Sequence, residues 1–122
     1  MGEGGSTASV KRVYEPPEKG DGFRILVDRL WPRGLSKRSG SIDLWMKDVA
    51  PTSELRRWFA HDALKWPEFT RKYLQELGDK EDARRTLRDL EKEHSTITLL
   101  FAAKDVEHNQ AIVLQKWLRS KV

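Results

Sequence analysis

Two apolar runs constrain the fold most: Phe23 to Val27 and Ile97 to Phe101. Each is short, nearly continuous and aliphatic, which is how a strand buried on both faces reads. The first strand is expected over Phe23 to Asp28. Amphipathic segments lie between the runs, so a crossover can bring them together in parallel. Their C-terminal ends then share one edge of the sheet. The expected fold class is α/β: a small three-layer or two-layer sheet with parallel strands and crossover helices, Rossmann-like.

Both runs end in residues that a core has no use for. The first continues as Val27-Asp28-Arg29-Leu30-Trp31-Pro32-Arg33-Gly34, and the second as Ala102-Ala103-Lys104-Asp105, then Glu107-His108-Asn109. Strand ends in open α/β sheets are where ligands are held.

Between these junctions the spacing predicts further elements. Val10 to Tyr14 reads as a strand and Glu15 to Gly22 as a loop. Ser36 to Ser41 suits one helical turn, and Ile42 to Lys47 alternates as a short strand. Ser53 to Ala60 reads as a helix capped by Thr52 or Ser53. Trp66 to Leu77 keeps helical spacing, with Pro67 tolerated in its first turn and Gly78 ending it. Asp79 is expected to cap a helix over Lys80 to Glu93, with His94 as a partner of its C-terminal dipole. Asp105 is expected to cap a last helix from Val106 to Arg119. Residues 1–9 read as a disordered leader, and 10–122 as one domain.

Composition removes several function classes. The chain has 122 residues and no cysteine, which excludes disulfides, thiolate catalysis and cysteine-ligated metal. No apolar run approaches the roughly 20 residues of a membrane span. The formal net charge is +4, a modest excess of the kind that attracts anions. Arg33, Lys37 and Arg38 form the one basic cluster without close acids. It reads equally well as a solvated loop or as an anion site. There is no glycine-rich phosphate loop, no nucleophile elbow, no zinc-binding pair of His on a helix and no helix-turn-helix. Nothing in the spacing of the three His resembles a metal motif, and no motif asks for a cofactor.

The candidate site gathers at the two junctions. Asp28 is the leading acid or base, with His108 and His61 as proton-transfer partners. Arg29, Arg33 and Lys104 are placed to bind an anion, and Trp31 to flank it. Asp105 and Asn109 open the last helix, where free N–H groups favour negative charge. Asp28 could equally be an ion-pair partner of Arg29, Arg33 or Lys104, and Trp31 could simply anchor its loop.

The chain resembles domain-of-unknown-function family 488, in its YeaO-like branch. The resemblance rests on Arg12-Val13-Tyr14-Glu15-Pro16-Pro17, Leu26 to Leu35, Leu44-Trp45, Ala50-Pro51, Leu55 to Asp62, and Ala102 to Asp105 with His108-Asn109. It covers roughly Val10 to Leu118. It implies a small cytoplasmic α/β protein of prokaryotic type and no particular activity. The expected partner is an anionic small molecule, such as a nucleotide or sugar phosphate. The alternatives are a nucleic-acid-associated module using Arg33, Lys37 and Arg38, and a structural or adaptor protein built on a buried ion-pair network.

Overall fold

Burial follows the two apolar runs. A computed structural model describes residues 7–120. Four parallel strands form one sheet in the order β1-β4-β2-β3, with β1 Thr7–Arg12, β2 Phe23–Leu26, β3 Leu44–Trp45 and β4 Thr96–Phe101. Strand β4 is central: Leu99 pairs with Val10 on β1 and with Ile25 on β2. Its residues from Ile97 to Phe101 are at most 1% exposed. Among the described residues the helices are α1 Ser53–Phe59, α2 Trp66–Leu77, α3 Glu81–His94 and α4 Gln110–Arg119. None is long and apolar enough to cross a membrane.

Alternation along the strands sorts side chains to two faces. Ile25, Val27, Leu99 and Phe101 meet Phe59, Tyr73, Leu87 and Leu114 from all four helices in the main core. Leu26 and Leu100 point the other way, into a smaller cluster with Val13 and Ile42, against which Trp31, Leu35 and Trp45 pack. Helices therefore cover one face and loops the other, so the sheet is the two-layer form. The β2–β3 connection runs back over the loop face and carries the residues after Asp28. Buried Arg24 ties it down, donating to Gly40 O and Ser41 O, each at 3.0 Å.

Several boundaries differ from the sequence reading. Strand β1 begins at Thr7 and ends at Arg12, so residues 7–9 belong to the sheet and not to a leader. Its pairing comes from backbone contact with β4, which composition does not reveal. Strand β3 is only Leu44–Trp45. Asp79 does not cap α3: the N-cap is Lys80, without a side-chain cap. Asp105 does not cap the last helix either. That helix begins at Gln110, and Asn109 Oδ1 accepts from the N–H groups of Ala111 and Ile112. His94 ends α3, and its ring stacks on Phe23 with centroids 4.2 Å apart. Residues 1–6 of the expected leader lie outside the described residues.

Candidate functional site

Parallel pairing brings the two junctions together. Val27 N–H still donates to Leu100 O at 3.0 Å, and Asp28 follows at the end of the ladder. One carboxylate oxygen accepts Ala102 N–H at 2.9 Å, and the other accepts the side-chain amide of Gln110 at the start of α4. Trp45 Nε1 donates to Asp28 O at 2.7 Å. The ends of β2, β4 and β3 and the first turn of α4 thus hold this one residue. Among the described residues Asp28 forms no ion pair, so the expected pairing with Arg29, Arg33 or Lys104 is not what orients it.

Burial pushes the Asp28 carboxyl up to about 6 from the ordinary 3.8, partly offset by the Ala102 and Gln110 hydrogen bonds and by the charge of His61. A folded-state pKa above the unfolded one means the folded protein holds its proton more tightly. The associated stability is full below pH 3.8 and is lost as pH rises through about 6. Asp28→Asn removes the buried charge. Its amide oxygen can still accept Ala102 N–H, and Gln110 can turn its own amide to complement the new NH2. The variant is expected to melt several degrees above the parent at pH 8, about 1–2 kcal/mol after allowing for solvent in the cleft. The gain should vanish near pH 4. Melts of both proteins across pH 4–8 check this, and an equal gain at both ends would contradict it.

Arg29 is largely committed to the chain. Its Nε donates to Pro51 O at 2.8 Å and one terminal nitrogen to Ala50 O at 3.1 Å, which fixes the segment leading into α1. Trp31 anchors its loop: Nε1 donates to Leu35 O at 2.6 Å, and the ring meets Trp45 edge-on at 5.3 Å. Arg33 is held through its backbone, whose carbonyl accepts from Tyr14 OH at 2.8 Å, while its side chain is exposed. Lys104 is also exposed. Neither the Arg33 nor the Lys104 side chain bonds another described residue.

The segment from 104 to 109 is a turn built on Asp105. Its carboxylate accepts the N–H groups of Glu107 and His108 at 2.9 and 3.0 Å, and its second oxygen lies 2.8 Å from His108 Nδ1. These contacts hold its carboxyl below the ordinary value. A carboxylate at Nδ1 places the imidazole proton there and leaves Nε2 as the free nitrogen. The His108 ring stands edge-on to Trp66 at 5.3 Å. Asn109 is 2% exposed, and both ends of its amide are occupied within the chain, Nδ2 donating to Asp105 O at 3.0 Å. It shapes the turn as a cap at the start of the last helix. His61 follows Ala60 at the end of α1, both with left-handed φ, 59° and 46°. Neither is glycine, so the backbone is strained here, at the mouth of the site.

The candidate residues of both junctions, with His61 and Gln110, line one cleft of about 1270 Å³ at the C-terminal edge of the sheet. Its cations are Arg12, Arg29, Arg33, Arg56, Arg57 and Lys104, against the carboxylates of Asp28 and Asp105. Sequence reasoning missed Arg12, Tyr14, Arg56, Arg57 and Gln110. The first four stand in the motif stretches 12–17 and 55–62, which was the available signal. Gln110 had none, because its role depends on where α4 starts. Lys37 and Arg38 stay outside the cleft, on the turn near 36–41.

Fold and cleft define a small parallel α/β domain with a basic, partly aromatic site at its strand ends. The chain belongs to the DUF488 family: residues 7–122 match the family model DUF488-N3i, described as the inactive DUF488-N3 subclade. It is similar to the uncharacterised protein YeaO of Escherichia coli strain K12, 46% identical over 110 residues, covering 90% of this chain and 95% of that one. It is also similar to the uncharacterised protein Rv3073c of Mycobacterium tuberculosis strain H37Rv, 40% identical over 112 residues, covering 92% and 93%. The uncharacterised protein Mb3100c of Mycobacterium bovis matches to the same extent. No solved structure matches the chain. The function of this protein is unknown, as is that of these relatives.

Proposed function

We propose that this protein binds an anionic small molecule, such as a nucleotide or sugar phosphate, in the cleft at the strand ends. One observation carries the reading. Six cationic side chains converge on a cleft that holds two carboxylates, and those of Arg33, Arg56, Arg57 and Lys104 bond no other described residue. Like charges gathered in one concavity repel, and where they bond nothing in the chain that repulsion opposes folding. An anion relieves that repulsion and gains charge-assisted hydrogen bonds, with arginine supplying the planar fork that phosphate or carboxylate fits. Apolar walls from Phe59, Phe69, Trp31 and Pro51 suit a ligand with a non-ionic body. The subclade's description as inactive favours binding without turnover. Were the ligand turned over here, Asp28, His108 and His61 would supply the acid and base.

Lys37 and Arg38 lie outside the cleft, which counts against the nucleic-acid reading. The test is calorimetric titration with nucleotides and sugar phosphates after a thermal-shift screen. Arg33→Ala and Lys104→Ala are each expected to weaken binding by roughly tenfold or more, the loss of one charge-assisted hydrogen bond. Lys37→Ala and Arg38→Ala should stay within about twofold. Comparable losses from all four variants, with a steep dependence on salt, would favour a nucleic-acid partner instead.

A further inference from the structure

Asp28 stands apart from the rest of the cleft. Six cationic side chains line the same concavity, yet among the described residues Asp28 pairs with none of them. Asp105, the other carboxylate, is spent on its own turn and on His108. Each Asp28 oxygen accepts one hydrogen bond from the chain, Oδ2 from Ala102 N–H and Oδ1 from the Gln110 amide. A carboxylate offers about four lone-pair sites, so each oxygen keeps room for a further donor. Gln110 adds another acceptor. Because an ionised carboxylate only accepts, Gln110 turns its NH2 to Asp28, and its Oε1 accepts from no described residue. Both side chains are half-buried and line the cleft. Trp45 Nε1 holds the Asp28 carbonyl as well, so these acceptors are fixed before any ligand arrives.

An array of acceptors restricts what it can meet. An anionic oxygen is repelled by the Asp28 carboxylate, and Ala102 N–H is already taken. An ammonium group is repelled by the six cations of the cleft. Neutral donors remain. Nucleotides and sugar phosphates both carry them on the sugar as neighbouring hydroxyls, each able to donate to one acceptor. We infer that Asp28 and Gln110 hold adjacent hydroxyls of the ligand's sugar while the cations hold its anionic group, so that the cleft selects ribose over deoxyribose. This rests on the anion-binding reading above and adds to it the residues that read the sugar.

The experiment uses matched probes in calorimetric titration of the full chain. Adenosine 5′-monophosphate, guanosine 5′-monophosphate and ribose 5-phosphate are each set beside the 2′-deoxy (for the free sugar, 2-deoxy) counterpart. In at least one pair the hydroxylated member is expected to bind roughly tenfold or more tightly, the loss of one hydrogen bond to a charged group. In Asp28→Asn the amide no longer offers two accepting oxygens, and the preference is expected to shrink to about threefold or less. Removing a negative charge changes the affinity for any anion, so the ratio within a pair is what is read, and melts of the variant confirm its fold. Equal affinity within every pair that binds overturns the sugar assignment and leaves the anion site standing. So does a preference for guanine over adenine without one for ribose, which would give Asp28 to the ring N–H donors of a base. An undiminished ribose preference in Asp28→Asn removes Asp28 as the reader. No binding by any of the six probes overturns both readings.

Discussion

Gly22→Ala is expected to cost the domain about 4–5 kcal/mol, enough to bring it to the edge of unfolding at room temperature if its stability is at the low end of about 5–15 kcal/mol. Gly22 closes the loop between β1 and β2 with φ 65° and ψ −138°. An L-residue at positive φ is strained by about 1–3 kcal/mol. The larger penalty is steric. A Cβ on Gly22 falls 2.8 Å from the carbonyl carbon and 2.9 Å from Cβ of Thr96, and closer still to the Thr96 carbonyl oxygen. These are atoms of Thr96, the first residue of the central strand, which pairs with Thr7 on β1 and is followed directly by Ile97, paired on both sides, so the backbone has little room to give way. Gly20→Ala, three residues before β2, meets nothing within 4 Å and serves as the control. Urea titrations of both variants test this. Equal midpoints for the two would refute the steric account.

Arg24→Leu is expected to lose about 3–5 kcal/mol, the usual consequence of removing one partner from a buried pair. Arg24 is 3% exposed and pairs through its guanidinium with Asp21, itself 8% exposed. Burial opposes ionisation of Asp21, but hydrogen bonds from Glu18 N–H, Lys11 and Arg24 outweigh it and hold the carboxyl below its ordinary value. Leucine keeps bulk and leaves Asp21 with Lys11 at 3.1 Å as its remaining ion-pair partner. It also strips Gly40 O and Ser41 O of their donor. Those carbonyls close the loop that begins at Asp28, so the variant should weaken ligand binding as well as stability. Arg24→Lys restores the charge without the fork and is expected to recover only part of the loss. A chemical melt within about 1 kcal/mol of the parent for Arg24→Leu would show that the network contributes little.

The network around Arg24 also shows where sequence reasoning stops. An arginine inside an otherwise apolar run, Phe23 to Val27, carries no sign of whether it snorkels to water or is buried. Only when the β1–β2 and β2–β3 connections fold over the loop face does Asp21 meet it. Asp105 illustrates the same limit at short range. A capping residue before an amphipathic stretch was legible, but Asp105 and Asn109 both qualify chemically. The competition was settled by the turn that Asp105 makes with Glu107 and His108, which delays the helix to Gln110.

The apolar runs and the helical spacing by themselves determined the α/β class, the parallel pairing of β2 with β4 and the bounds of α2, because periodicity and burial are local and strong. They also determined that Asp28, Arg33, His108 and Lys104 would share an edge, since parallel strands must end on the same side. What each polar side chain does there was decided only by the tertiary structure. Arg29 turned to the Ala50 and Pro51 carbonyls, Asp28 took Ala102 N–H and Gln110 in place of a cation, and Arg12, Arg56 and Arg57 entered the cleft from elements remote in sequence. The physical reason is range. A hydrogen bond is made or lost within about half an ångström, and the positions of its partners depend on how every loop and helix packs.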